Sequence, residues 1–114
     1  MSGQDAGGLR AWIVQRVSAI YLACFFVSAL LVWLTQRPLS YDMWRAWIAH
    51  PAVNVACVLF FIALVLHAWV GVRDVVIDYV HATATRFILL ISVAASLLAM
   101  LVWALRILLL VPQS

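Results

Sequence analysis

Three long apolar stretches leave this chain little choice of solvent. They are "VSAIYLACFFVSALLVWL" (Val17 to Leu34), "AVNVACVLFFIALVLHAWVGV" (Ala52 to Val72) and "FILLISVAASLLAMLVWALRILLLV" (Phe87 to Val111). A helix that crosses a bilayer needs about 20 such residues, and within lipid every backbone polar group must be satisfied internally. Hydrophobic residues make up 68% of the chain and charged ones 10%, against about 45–50% and about 25% in soluble domains. A chain of 114 residues cannot hide that much apolar surface in a water-soluble core. The sequence therefore predicts an all-α membrane protein with three transmembrane helices and a short interfacial helix between the first and second. We read residues 1–114 as one membrane domain: a polar segment at 1–10, then spans at about 11–34, 52–72 and 87–111. The first run exceeds the core of about 7–15 residues typical of a cleavable signal.

The connections refine this reading. "MSGQDAGG" is polar and Gly-rich, so it is expected to fray or to dock on a partner. In "TQRPLSYDMWRAWIAHP", Ser40 can cap a helix, and Tyr41, Trp44 and Ile48 recur at the spacing of one apolar face, as in a helix lying in the interface. "RDVVIDYVHATATR" is polar but holds no early breaker, so the second helix is expected to run past the membrane surface. Three spans place the termini on opposite sides. Trp12 and Trp69, with Tyr79 beyond, mark one interface; Trp33, Trp44 and Trp47 mark the other. Arg10, Arg16, Arg73 and Arg86 lie on the first side, and Arg37, Arg45 and Arg106 on the second, a balance that favours a cytoplasmic N-terminus. The net charge of +3 does not point to nucleic acid. Cys24 and Cys57 sit in apolar runs without a ligand set and are expected to pack as small hydrophobes.

His67 stands out because it lies about 7–8 Å inside the second apolar run, at 1.5 Å per residue. An ionisable group at that depth marks a functional site or packs as a neutral ring against a neighbouring helix. Helical phase adds information. Gly71 is about 40° from His67, and Asp74 and Asp78 are each about 20° away. A glycine one turn from an imidazole leaves a slot that a flat ring system can enter, as a haem axial ligand requires. Asp74 is equally a surface acid for Arg73 or Arg86. His50 and His81 lie outside the apolar runs, so a six-coordinate haem would need its second ligand from another chain. A proton relay through His67, Asp74 and Asp78, or a purely structural scaffold, are the competing classes.

"HAWVGVRDVVIDYV" resembles the H-A-W-x-G-x-x-x-V-x-x-D-Y signature of the smaller hydrophobic membrane-anchor subunit of succinate dehydrogenase (succinate:quinone oxidoreductase, respiratory complex II). "AWIVQRVSAIYL" is similar to that family's opening R-x-[ST]-A-[IL] segment, and "PLSYDMWRAWIAHP" to its first loop. The resemblance runs from about Arg10 to the end of the chain. It implies a four-chain complex of the bacterial inner membrane, linking the tricarboxylic acid cycle to the respiratory chain. In it a flavoprotein subunit oxidises succinate, an iron–sulfur subunit relays electrons, and two anchors share one haem b and help form a ubiquinone site. By the same resemblance His67 is the haem iron's axial ligand, opposite a ligand from the second (cytochrome b) anchor. Tyr79 is the quinone hydrogen-bond donor and Asp78 its neighbouring acid, and Arg16 lies near the haem propionates. The isolated chain is expected to catalyse nothing. A fumarate reductase anchor, working in the reverse direction, and a higher oligomer of the complex stay open.

Overall fold

The computed structural model describes residues 3–37 and 40–112. Four helices account for nearly all of them: α1 (Gly3–Thr35), α2 (Tyr41–Ala49), α3 (Pro51–Tyr79) and α4 (Thr83–Leu110). α1 from Gly8, α3 and α4 are each long and apolar enough to cross a membrane. The all-α reading, with three spans and a short helix after the first, is therefore met.

The boundaries differ in instructive ways. The polar start, expected to fray or dock, is helical from Gly3, because extending an already nucleated helix costs little. α3 continues past Val72 to Tyr79, as the missing breaker implied. α4 begins at Thr83 rather than Phe87. Only Val80, His81 and Ala82 separate these two helices. Fully extended, so short a link spans at most about 11 Å, so α3 and α4 must be antiparallel neighbours. Arg86 secures the reversal: its guanidinium donates to the carbonyls of Val80 (3.0 Å) and Ile77 (3.2 Å). Those carbonyls belong to the end of α3, where helical partners run out.

α2 starts as its sequence predicts. Ser40 is the N-cap, and its hydroxyl accepts from the Met43 amide at 3.1 Å. Its inward side is narrower than the Tyr41, Trp44 and Ile48 spacing suggested. Ile48 and Ala49 are buried, whereas Tyr41 and Trp44 are exposed. Only the C-terminal end of α2 meets α3 closely enough to be covered. Pro51 then opens α3 at a position where its missing N–H is harmless.

α3 is the central element; it packs against α1, α2 and α4, while α1 and α4 share no extended interface. Along α1 and α3, Gln15 lies beside Gly71, Ser18 beside His67 and Phe25 beside Phe60, so the two helices run antiparallel. The Phe25 and Phe60 rings stack with centroids 4.4 Å apart, and the Tyr21 hydroxyl donates to the Ala56 carbonyl at 2.7 Å. A small core of Ile48, Cys57 and Leu108 joins α2, α3 and α4. Cys57 thus packs as expected; Cys24 does not, because it lies on an exposed face of α1. Beyond this core the large apolar side chains point outward, among them Val17, Ile20, Phe26, Phe87, Leu98 and Leu109. In water such a surface is untenable; in lipid, or against other helices, it is ordinary.

One polar residue stabilises the end opposite Arg86. Asn54 is only 4% exposed, and its amide donates to the Leu108 carbonyl at 2.8 Å and to that of Ile48 at 3.4 Å. Leu108 is in the last turn of α4, so its carbonyl lacks a helical donor. Asn54→Ala is expected to lower the unfolding free energy in mild detergent by about 1–2 kcal/mol. A calorimetric or denaturant unfolding curve superimposable on the wild type would contradict that role.

Candidate functional site

α1 and α3 come close enough along their antiparallel contact to form an open groove of about 420 Å³, lined by Gln15, His67, Ala68, Gly71, Val72 and Val75. The small residues at 68 and 71 create it. They sit one and four positions after His67, so the histidine stands at one end of a strip where the α3 backbone is barely covered. A Cβ built on Gly71 would lie 3.6 Å from the Gln15 side-chain nitrogen, which is ordinary contact. Alanine therefore fits there, and only a longer side chain would fill the groove.

His67 is half-buried and held by α1. Its Nδ1 lies 3.2 Å from the hydroxyl of Ser18, a residue only 6% exposed. The same hydroxyl lies 3.1 Å from the backbone carbonyl of Gln15. A carbonyl accepts and never donates, so Gln15 is one acceptor within reach of the single hydroxyl proton. With the proton on Gln15, the oxygen lone pair accepts from an Nδ1–H, the tautomer in which Nε2 is free to bind an electrophile.

The groove is incomplete within the chain. The side-chain oxygen of Gln15 is buried with no hydrogen-bond partner among the described residues, an arrangement proteins generally avoid. Among those residues, too, no group of three or more His, Cys, Asp or Glu side chains gathers. A metal would find only a single ligand here and would need the rest of its coordination from elsewhere.

The other residues singled out in the sequence are placed differently. Tyr79 and Asp78 end α3, three turns from His67 and about 16–18 Å along the axis. Both are exposed, Tyr79 by 78%, and neither lines the groove. The Arg86 contacts to Ile77 and Val80 bracket them, so they ride on a fixed helix end. Arg16 is exposed, next to Gln15, with its guanidinium carbon 5.4 Å from the centre of the Trp12 ring. Asp74 faces outward and pairs with Arg73 at 3.2 Å, the surface alternative left open for it. His67, Asp74 and Asp78 share a helix side but make no mutual contact, and His67 alone reaches the groove.

Sequence reasoning passed over Ser18 and Gln15. Ser18 lies within the quoted "RVSAI" segment, and with Gln15 it obeys the i, i+3 spacing that puts both on one side of α1. What the one-dimensional pattern lacked was the pairing of α1 with α3.

The chain is similar to known membrane-anchor proteins over most of its length. Residues 4–110 match the family described as "Succinate dehydrogenase/Fumarate reductase transmembrane subunit". A protein of Coxiella burnetii called "Succinate dehydrogenase hydrophobic membrane anchor subunit" is 30% identical over 99 residues, covering 87% of this chain and 86% of the relative. A protein of Rickettsia conorii with the same name is 31% identical over 93 residues, covering 81% of this chain and 74% of the relative.

Proposed function

This chain belongs to the succinate dehydrogenase/fumarate reductase transmembrane subunit family, and from that premise we propose that it is the smaller membrane anchor of a succinate:quinone oxidoreductase. Its partners are a flavoprotein, an iron–sulfur subunit and a second, cytochrome b anchor. Its place is the bacterial inner membrane, with the N-terminus in the cytoplasm. The supporting observation is the half-buried imidazole that lines the groove with Gly71, its Nδ1 within hydrogen-bond reach of the Ser18 hydroxyl.

The residues present fit a haem b. A neutral imidazole nitrogen suits ferrous or ferric iron. The groove beside it is lined by small and aliphatic side chains, with one unsatisfied polar atom. Because it is open, a second subunit could close it and supply a further ligand. His67 would hold the iron, and Arg16 is assigned to the propionates once its guanidinium leaves the Trp12 ring. The haem, when bound, supplies a one-electron redox centre inside the membrane.

Quinone chemistry is assigned to the far end of α3. Reducing a quinone to a quinol takes two electrons and two protons at its carbonyl oxygens. Tyr79 offers a phenolic O–H that hydrogen-bonds a carbonyl oxygen and stabilises negative charge growing there. Asp78, beside it, supports proton delivery from water. The exposure of both in the single chain fits a pocket whose other walls belong to partner subunits. The remaining members of the complex oxidise succinate, and the isolated chain catalyses nothing.

A graded series at Gly71 tests the groove. Gly71→Ala should leave haem content per flavin close to wild type, since the added methyl meets only ordinary contact. Gly71→Leu should exclude the haem while the four subunits still copurify. Full haem occupancy in Gly71→Leu would remove the basis for placing the cofactor here.

A further inference from the structure

We propose that Ser18 is a positioning residue for His67: its hydroxyl fixes the ring's tautomer and orientation and thereby tunes the iron that His67 binds. This rests on the reading of His67 as a haem ligand and concerns a residue to which that reading gives no part.

The geometry has three elements. Ser18 is on α1 and His67 on α3, so the contact joins two helices rather than neighbours on one. Ser18 is 6% exposed, so water does not compete for its hydroxyl. The hydroxyl also has the Gln15 carbonyl within reach as an acceptor for its proton, at 3.1 Å. A serine free to rotate could donate to Nδ1 and force the proton onto Nε2, the nitrogen the metal needs. The Gln15 carbonyl counters that by offering the hydroxyl proton another acceptor at 3.1 Å, which favours the arrangement with Nε2 free.

The consequence for a metal is directional. A ligating histidine whose other N–H is accepted by an oxygen becomes a stronger electron donor, and losing such a partner costs roughly 10–100-fold in metal affinity. Stronger donation favours the more highly charged iron. Removing the acceptor should weaken the ferric state more than the ferrous one, and so raise the haem's midpoint potential.

The test uses the detergent-purified four-subunit complex carrying Ser18→Ala, Ser18→Thr, Ser18→Val or His67→Ala. The readouts are the haem midpoint by spectroelectrochemical titration and the ferric haem's electron paramagnetic resonance g-values. Thr and Val have nearly the same shape and differ in the hydroxyl, so they separate hydrogen bonding from packing. In Ser18→Ala and Ser18→Val the midpoint should rise. A tenfold preferential loss of ferric affinity would read as about 59 mV for a one-electron couple. The g-values should move with it, and Ser18→Thr should restore both. Equal midpoints and g-values in Ser18→Thr and Ser18→Val would overturn the proposal even if Ser18→Ala failed to assemble. A wild-type haem spectrum in His67→Ala would instead overturn the ligand reading beneath it.

Discussion

With His67 as the proposed haem ligand, the four-subunit complex carrying His67→Ala is expected to lose the b-type haem spectrum of the wild type. Either the pigment is absent after purification or it persists as a five-coordinate, high-spin species. Losing a coordinate bond should cost more than the roughly 10–100-fold in affinity that follows loss of an outer-shell partner. The measurement is a reduced-minus-oxidised difference spectrum normalised to flavin. His67 lies among side chains on α3 and α1 and is not part of the small core of Ile48, Cys57 and Leu108. The subunits should therefore still copurify, and succinate oxidation with a soluble dye acceptor should persist. An unchanged spectrum would mean that the iron is bound elsewhere, and would return His67 to a packing role.

Tyr79→Phe should separate two activities that the intact complex couples. Reduction of a soluble quinone analogue should fall by roughly 10²-fold, the scale of losing one preorganised donor or proton carrier. Reduction of a dye by succinate should stay near the wild-type rate. The substitution removes one oxygen from an exposed ring that makes no hydrogen bond within the described residues, so folding should be indifferent to it. Equal decline of both activities would place the defect in assembly. Equal retention would mean that the phenol is only an interfacial anchor.

These two residues differ in how far the sequence could carry them. His67 announces itself, since an imidazole deep in an apolar run demands an explanation and Gly71 one turn on supplies room. The slot expected from that spacing is present as the groove. Tyr79 and Asp78 carry no such signal: a tyrosine near a membrane boundary is commonplace, and only the wider "HAWVGVRDVVIDYV" pattern sets this one apart. The three spans were legible because lipid enforces length and apolarity together. Their ends were less so. Thr83 to Arg86 read as loop because they are polar, yet the Arg86 guanidinium reaches back to α3 and draws them into α4. Ser18 was invisible for another reason. A serine in a helix that bonds a carbonyl three residues back looks like any other. Its meaning comes from which residue of α3 lies opposite, and periodicity along α1 does not encode that.

α3 has neighbours on its flanks, but α1 and α4 do not meet across an extended interface. A curtain of this kind has sides and no interior. Whatever occupies the recess beside His67 is sheltered by this polypeptide on one side only, and its remaining shelter comes from whichever chain lies against the curtain. On the haem reading proposed above, capture of the pigment and docking of the partner favour each other through one shared coupling free energy. The pigment becomes a gauge of the seam: without it the two anchors should still copurify in mild detergent, yet part under harsher detergent sooner than when it is bound.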